Sequence, residues 1–235
     1  MILLDGKKRF IFILIFIFID VALILGFLLI RDATNINKLE KEIDVISELS
    51  LDSNNFDRKI KTSGGYAIVE KSIKDRLSYF STGMSEITTL VNDSKLSKVL
   101  SYDNYNGDGP EFRKSLTYLE ESSSKFNKKV DELLEAMDDD NLRDYIYKKS
   151  DNKYYVSLYK KYMFNDDIMV NIKEAKDLLN KTKIRVNNIY DVSIDVLNFL
   201  SLYQENWKLE DGEIRFQTEE LYNYYIGLIS KVQVK

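Results

Sequence analysis

The sequence predicts an all-α fold: an N-terminal transmembrane helix followed by an antiparallel bundle of long helices, with a small β-hairpin near the C-terminus. Three observations predict it. The 235 residues include one Pro and nine Gly, too few breakers for the turns an all-β chain requires. Residues 10–30 form an apolar run interrupted by a single acid. Beyond it, three long stretches place apolar residues at alternating steps of three and four, the period of a helix buried along one face.

Taken in order, residues 1–9 are a short tail that ends in Lys7, Lys8 and Arg9. Residues 10–30 read FIFILIFIFIDVALILGFLLI. At about 1.5 Å per residue this run reaches roughly 31 Å, the thickness of a bilayer's hydrocarbon. Its exit, Leu29-Ile30-Arg31-Asp32-Ala33, lacks the small-x-small site of a cleaved leader, so an uncleaved signal anchor is expected. The cluster at 7–9 outweighs Arg31, which Asp32 partly offsets. Basic residues favour the cytoplasmic side, which places the N-terminus inside and the C-terminal part outside the plasma membrane.

Asp20 stands at the centre of this run. An acid there costs about 2.5 to 3.5 kcal/mol, and the surrounding Ile, Leu and Phe offset it at about 0.3 to 0.6 kcal/mol each. Two readings stay open: a contact with another membrane helix, or a protonated side chain tolerated in a very apolar segment.

Ile36, Leu39, Ile43 and Ile46 continue at 3-4-3 spacing, which predicts that the same helix emerges as an amphipathic stalk to about residue 50. Packing against the chain's own bundle is preferred over a coiled coil, since the repeat covers barely two heptads. Residues 51–65 lose the period and end in Gly64-Gly65, read as a hinge. The stalk and hinge thus occupy 31–65, and the helical bundle domain 66–235.

Within the bundle, Ile73, Leu77, Phe80, Met84, Ile87 and Val91 predict a helix over 66–100. Residues 102–109 read as a polar turn, with Pro110 at the favoured first position of the next helix. That helix carries Phe112, Leu116, Leu119, Ser123, Phe126, Val130, Leu133 and Met137. Asp138, Asp139 and Asp140 are placed to cap and charge the N-terminus of the helix after it. Residues 141–164 are helical but uneven, broken near Ser150-Asp151-Asn152, and rich in Tyr. Asp166-Asp167 opens the longest predicted helix, with Ile168, Ile172, Ala175, Leu179, Thr182, Val186, Ile189, Ser193, Val196 and Leu200 on one seam. Trp207-Lys208-Leu209 and Ile214-Arg215-Phe216 flank an Asp211-Gly212 turn, the signature of a hairpin. A last helix from Thr218 carries Leu221, Tyr225, Leu228, Ile229 and Val232.

Composition bounds the chemistry. Cys and His are both absent, which excludes thiol nucleophiles, Ser-His dyads, His-containing metal sites, zinc fingers, disulfides and a cysteine-linked lipid anchor. With 34 basic against 38 acidic residues, no overall field favours nucleic acid. The excess of Asn, Lys, Ile and Tyr fits an AT-rich, bacterial genome. The stretch 104–109, NYNGDG, resembles the start of a calcium loop, but Asn104 takes the place of Asp and Ser115 that of the closing Glu; an ordinary turn is preferred. The tyrosines from 145 to 162 are read as core lining, with an aromatic contact surface as the alternative.

No catalytic, cofactor or metal residues are expected, and the chain is read as a non-enzyme. Its expected partners are the lipid bilayer and either a protein or a second copy. The leading expectation is a membrane-anchored extracytoplasmic helical domain acting by protein–protein interaction, as a cell-envelope scaffold or an accessory subunit of a membrane complex. The alternative is an extracytoplasmic ligand-sensing bundle that signals through a partner membrane protein.

Overall fold

The computed structural model describes residues 6–48 and 57–233; within α1, side chains are described from Leu28 onward, together with Leu23 and Gly26. Among the described residues the chain is about 80% helical, with one small antiparallel sheet near the C-terminus. The helices are α1 (Gly6–Ser47), α2 (Gly65–Val91), α3 (Ser94–Lys98), α4 (Tyr102–Asp108), α5 (Arg113–Ala136), α6 (Asp139–Asp144), α7 (Lys153–Met163), α8 (Asp166–Leu202) and α9 (Glu219–Gln233). Strands β1 (Trp207–Glu210) and β2 (Glu213–Phe216) lie between α8 and α9.

The backbone of α1 stays helical through 10–30 and on to Ser47, so its 42 residues exceed the 37 of α8, which the sequence pattern predicts to be the longest. Among the described residues no helix is long and apolar enough to cross a membrane. Most side chains of 10–30, including that of Asp20, lie outside the described residues, and so do residues 49–56, which include the first six of the expected hinge segment 51–65.

The predicted seams form the core. Ile73, Leu77, Phe80 and Ile87 of α2 are buried; so are Leu119, Phe126, Val130 and Leu133 of α5 and Ile168, Ile172, Leu179, Val186, Val196 and Leu200 of α8. They belong to one buried cluster that also holds Leu39, Ile43 and Ile46 of α1. Cross-helix pairs give the directions. Lys129 pairs with Glu86 while Arg76 donates to the carbonyl of Ala136, so α5 runs against α2. Asn127 bonds Asn187 and Asp131 pairs with Lys183, so α8 runs against α5. Asn188 donates to the carbonyl of Lys231 while Phe199 meets Tyr224, so α9 runs against α8. Ser63 lies by Asn35 and Lys74 by Glu42, so α2 follows the direction of α1 away from residues 10–30. Leu202, the end of α8, therefore lies at the bundle's far end.

Several boundaries depart from the pattern in the sequence. The helix expected over 66–100 stops at Val91, because Asp93 accepts from the amide of Lys95 and starts the separate α3. The expected turn 102–109 is the helix α4, capped by Ser101, whose hydroxyl accepts from the Asn104 amide. Pro110 does not open α5. It follows Gly109 through a cis peptide, and α5 begins at Arg113 after Phe112 in the left-handed region, φ 54°. A left-handed non-glycine costs about 1 to 2 kcal/mol. The turn delivers the Phe112 ring into a site where it is fully buried against Trp207 and Tyr105, and burying such a side chain contributes about 1.5 to 3 kcal/mol. Residues 141–164 resolve into α6, a 3-10 turn (Tyr145–Lys148) and α7, with the break at 150–152 as expected.

Other expectations hold. Asp138 caps α6, accepting from the Asp140 amide, and Asp166-Asp167 opens α8, to which Asn165 adds a cap by accepting from the Asp167 amide. The hairpin pairs Trp207 with Phe216 and Leu209 with Ile214. Its turn has positive φ at Asp211 (55°) and Gly212 (83°), the backbone that matches strand twist in a two-residue hairpin loop.

Candidate functional site: the junction of α1 with the bundle

A dense polar arrangement is buried where the outer half of α1 meets α2 and the irregular segment 57–63. Glu42 projects from α1 on the flank of the Leu39, Ile43 and Ile46 face. Glu70 and Lys74 stand one turn apart on α2, each next to a core position, Val69 and Ile73. Glu70 is 0% exposed and Lys74 3%. Lys74 Nζ donates to Glu42 (2.8 Å), to Glu70 (2.8 Å) and to the carbonyl of Lys59 (2.7 Å), which uses all three ammonium protons. Glu70 in turn accepts from the amides of Lys61 and Thr62 (2.9 Å) and from the Thr62 hydroxyl (2.8 Å). Lys61 reaches from the surface to the second oxygen of Glu42.

Taking these charges out of water costs several kcal/mol per ion, and the arrangement survives because each charge finds partners. Burial pushes the Glu70 carboxyl up, but the hydrogen bonds from Lys74, Thr62 and Lys61 outweigh it and hold the group below its ordinary range. The bond to Glu42, with help from Asp57, raises Lys61.

A second clasp sits nearer residues 10–30. Asn35, 5% exposed, accepts from the amide of Ser63 at 3.0 Å, five residues beyond Ile30. Gly64 follows with φ 61° as the N-cap of α2, and Gly65 has no room for a side chain: a Cβ there would lie 2.0 Å from the Tyr155 ring. The pair expected to hinge thus supplies a left-handed cap and a close aromatic approach.

The other sequence candidates fall elsewhere. Asp108 is spent on α5, accepting from the amide and hydroxyl of Ser115 at 2.7 Å each, while Asn104 bonds the Val99 carbonyl and the Ser115 hydroxyl. The Asp108 carboxylate of the calcium-like stretch therefore caps α5. Among the described residues, no group of three or more Asp, Glu, His or Cys could hold a metal ion. The tyrosines from 145 to 162 divide: Tyr159 and Tyr162 are core, bonding the Leu142 carbonyl and Glu40, whereas Tyr147 and Tyr154 are exposed. Asp20 is on the helical backbone of α1, with its side chain outside the described residues.

The sequence pattern presents Glu42 and its neighbours as solvated charges between apolar positions, and so conceals the junction. A signal is present all the same. Glu70 and Lys74 are an acid–base pair at i,i+4, one residue off the apolar seam at both steps, which puts them on the rim of the buried stripe. Chemically the arrangement is a closed set of charges, each satisfied by partners within it. It can lock two helices in register.

Comparison of the chain with protein-family models, with curated proteins and with solved structures finds no match.

Proposed function

We propose that the chain is a single-pass membrane protein whose residues 10–30 hold it in the plasma membrane, and that it works by presenting its helical bundle, in a fixed stance outside the cytoplasm, to a protein partner. It serves as a cell-envelope scaffold or as an accessory subunit of a membrane complex. The observation that carries this reading is the continuity of α1. One helix runs from the apolar segment into the bundle core, and the Glu42, Lys74 and Glu70 network fixes it there. A tether meant only to retain a domain needs no such register, whereas a part that must meet a neighbour at a set height and angle does. The apolar length of 10–30 supports the anchor, and Lys7, Lys8 and Arg9 support the orientation. An acid at position 20 of such an anchor is suited to contact a polar group of another membrane helix.

The test is made on the full chain in cells. Membranes washed with alkaline carbonate should retain the protein until detergent is added. Protease added to intact spheroplasts should degrade the bundle, and crosslinking should join the bundle to one reproducible protein. Release by carbonate would remove the anchor, and protection of the bundle until lysis would reverse the orientation.

A further inference from the structure

At the end of the bundle farthest from residues 10–30, α8 and α9 leave a groove of about 520 Å³ between them. Its floor is Phe199, buried, with the rings of Tyr203 and Tyr224 each 5.0 Å from it, centroid to centroid. Two apolar side chains of its edge are open to water: Leu202 is 75% exposed and Tyr224 59%. Isolated exposed apolar residues are ordinary, but a contiguous aromatic and aliphatic patch marks a contact surface.

The charge around this patch points to the occupant. Residues 191–235 hold eight acidic and four basic residues, so the whole formal charge of −4 resides in them, and residues 1–190 balance. Two of those cations, Lys208 and Arg215, are already paired with Glu210 and Asp211. Asp195, Glu220 and Lys231 line the groove, and all three are exposed, as are Glu205 and Glu219 in the flanking sequence. A cleft with an aromatic floor and a polar rim in which acids outnumber bases, set in a segment of net charge −4, is complementary to a partner segment that is apolar on one face and basic on its borders.

We infer that the groove between the C-terminal end of α8 and the start of α9 docks a basic amphipathic segment of the partner protein, with Leu202 and Tyr224 as its apolar anchors and Asp195 and Glu220, with Glu219 next to it in sequence, as the acidic part of its rim. This rests on the interaction role proposed above and names the surface and the partner's chemistry. The apolar contacts supply affinity and the acidic rim supplies selection against acidic segments.

The test uses the full chain in zwitterionic nanodiscs, with empty nanodiscs as the blank. The probe is a fluorescently labelled short helical peptide of Leu and Lys, set against one with Glu in place of Lys and one with Ser in place of Leu. The Leu/Lys peptide should bind above the blank, and each control at least about tenfold more weakly, since each lacks one half of the complementarity. Leu202→Ser and Tyr224→Ser should each weaken binding by about tenfold, the loss typical of a central apolar anchor. Both side chains are exposed, so an unchanged melting temperature will show that the fold is intact. Glu219→Gln with Glu220→Gln should reduce the dependence of binding on salt. Equal binding of the Leu/Lys and Leu/Glu peptides, or indifference to Leu202→Ser, overturns the inference. So does association of two chains through Leu202, which would make the occupant a second copy. These outcomes leave carbonate retention and crosslinking in cells untouched, so failure here is separable from failure of the anchored-scaffold reading.

Discussion

The two ends of the bundle are held by different chemistry. Near residues 10–30, α1 and α2 are joined by buried ions: Glu42, Lys74 and Glu70, with Lys61 and Thr62 closing the network. At the far end, aromatic rings take that part. Phe112 stacks on Trp207, Tyr105 shares a hydroxyl hydrogen bond with Tyr225, and Phe216 leans on Phe199 and Tyr225. Apolar contacts are non-directional and tolerate a slip of part of a turn, whereas an ammonium with three acceptors in place does not. Register in this protein is therefore specified where the long N-terminal helix enters the bundle, and left to packing where the hairpin closes the far end.

Removing one ion should abolish that contrast most directly. Lys74→Ala should lower the unfolding free energy by about 3 to 5 kcal/mol, because it strands two buried carboxylates. Replacing Glu42, Glu70 and Lys74 together with Leu, Leu and Met should recover most of that stability while loosening the fixed stance of α1, read as wider spin-label distance distributions between α1 and α5. Denaturant titration of the single and triple variants checks the first half. At the aromatic end, Phe112→Ala should cost about 3 to 4 kcal/mol by opening a cavity, with no comparable rescue by a second substitution.

The pH response should belong to the ionic end. Glu70 has a folded pKa below its ordinary value: burial raises it, and the bonds from Lys74, Thr62 and Lys61 more than reverse that. A carboxyl of this kind stabilises the fold above its unfolded pKa, about 4.3. That contribution fades as pH falls from there through the lower folded value. Melting temperature followed from pH 6 to pH 3 should therefore drop, and Glu70→Gln, already less stable at pH 6, should flatten the drop. A slope unchanged in that variant would assign acid sensitivity to other carboxyls, such as Asp108.

Two smaller effects refine the contrast. Tyr105→Phe removes a buried hydroxyl pair from a site that is otherwise apolar, for a loss of about 1 kcal/mol by thermal or chemical denaturation. Lys161→Ala tests an ion pair with Glu40 whose partners are 64% and 45% exposed, and it should change stability by less than about 1 kcal/mol. The gap between Lys161 and Lys74 isolates what burial adds to the same charge pairing.

Periodicity and short-range hydrogen bonding were enough to specify the helical class, the core faces of α2, α5 and α8, the cap at Asp138 and the hairpin. The apolar steps from Ile73 to Ile87 bury one face whatever helix lies opposite, and Asp211-Gly212 turns the chain from its own dihedral preferences. Long-range packing alone fixed that Glu42 is buried, that Pro110 lies outside α5 and that Tyr159 is core while Tyr147 is not. Each depends on a group far away in the chain. Lys74 makes Glu42 tolerable from 32 residues away, and Phe112 adopts its left-handed backbone against Trp207, 95 residues further on. Local pattern carries the period of a helix, but it holds no information about which distant partner will meet a side chain when water is excluded.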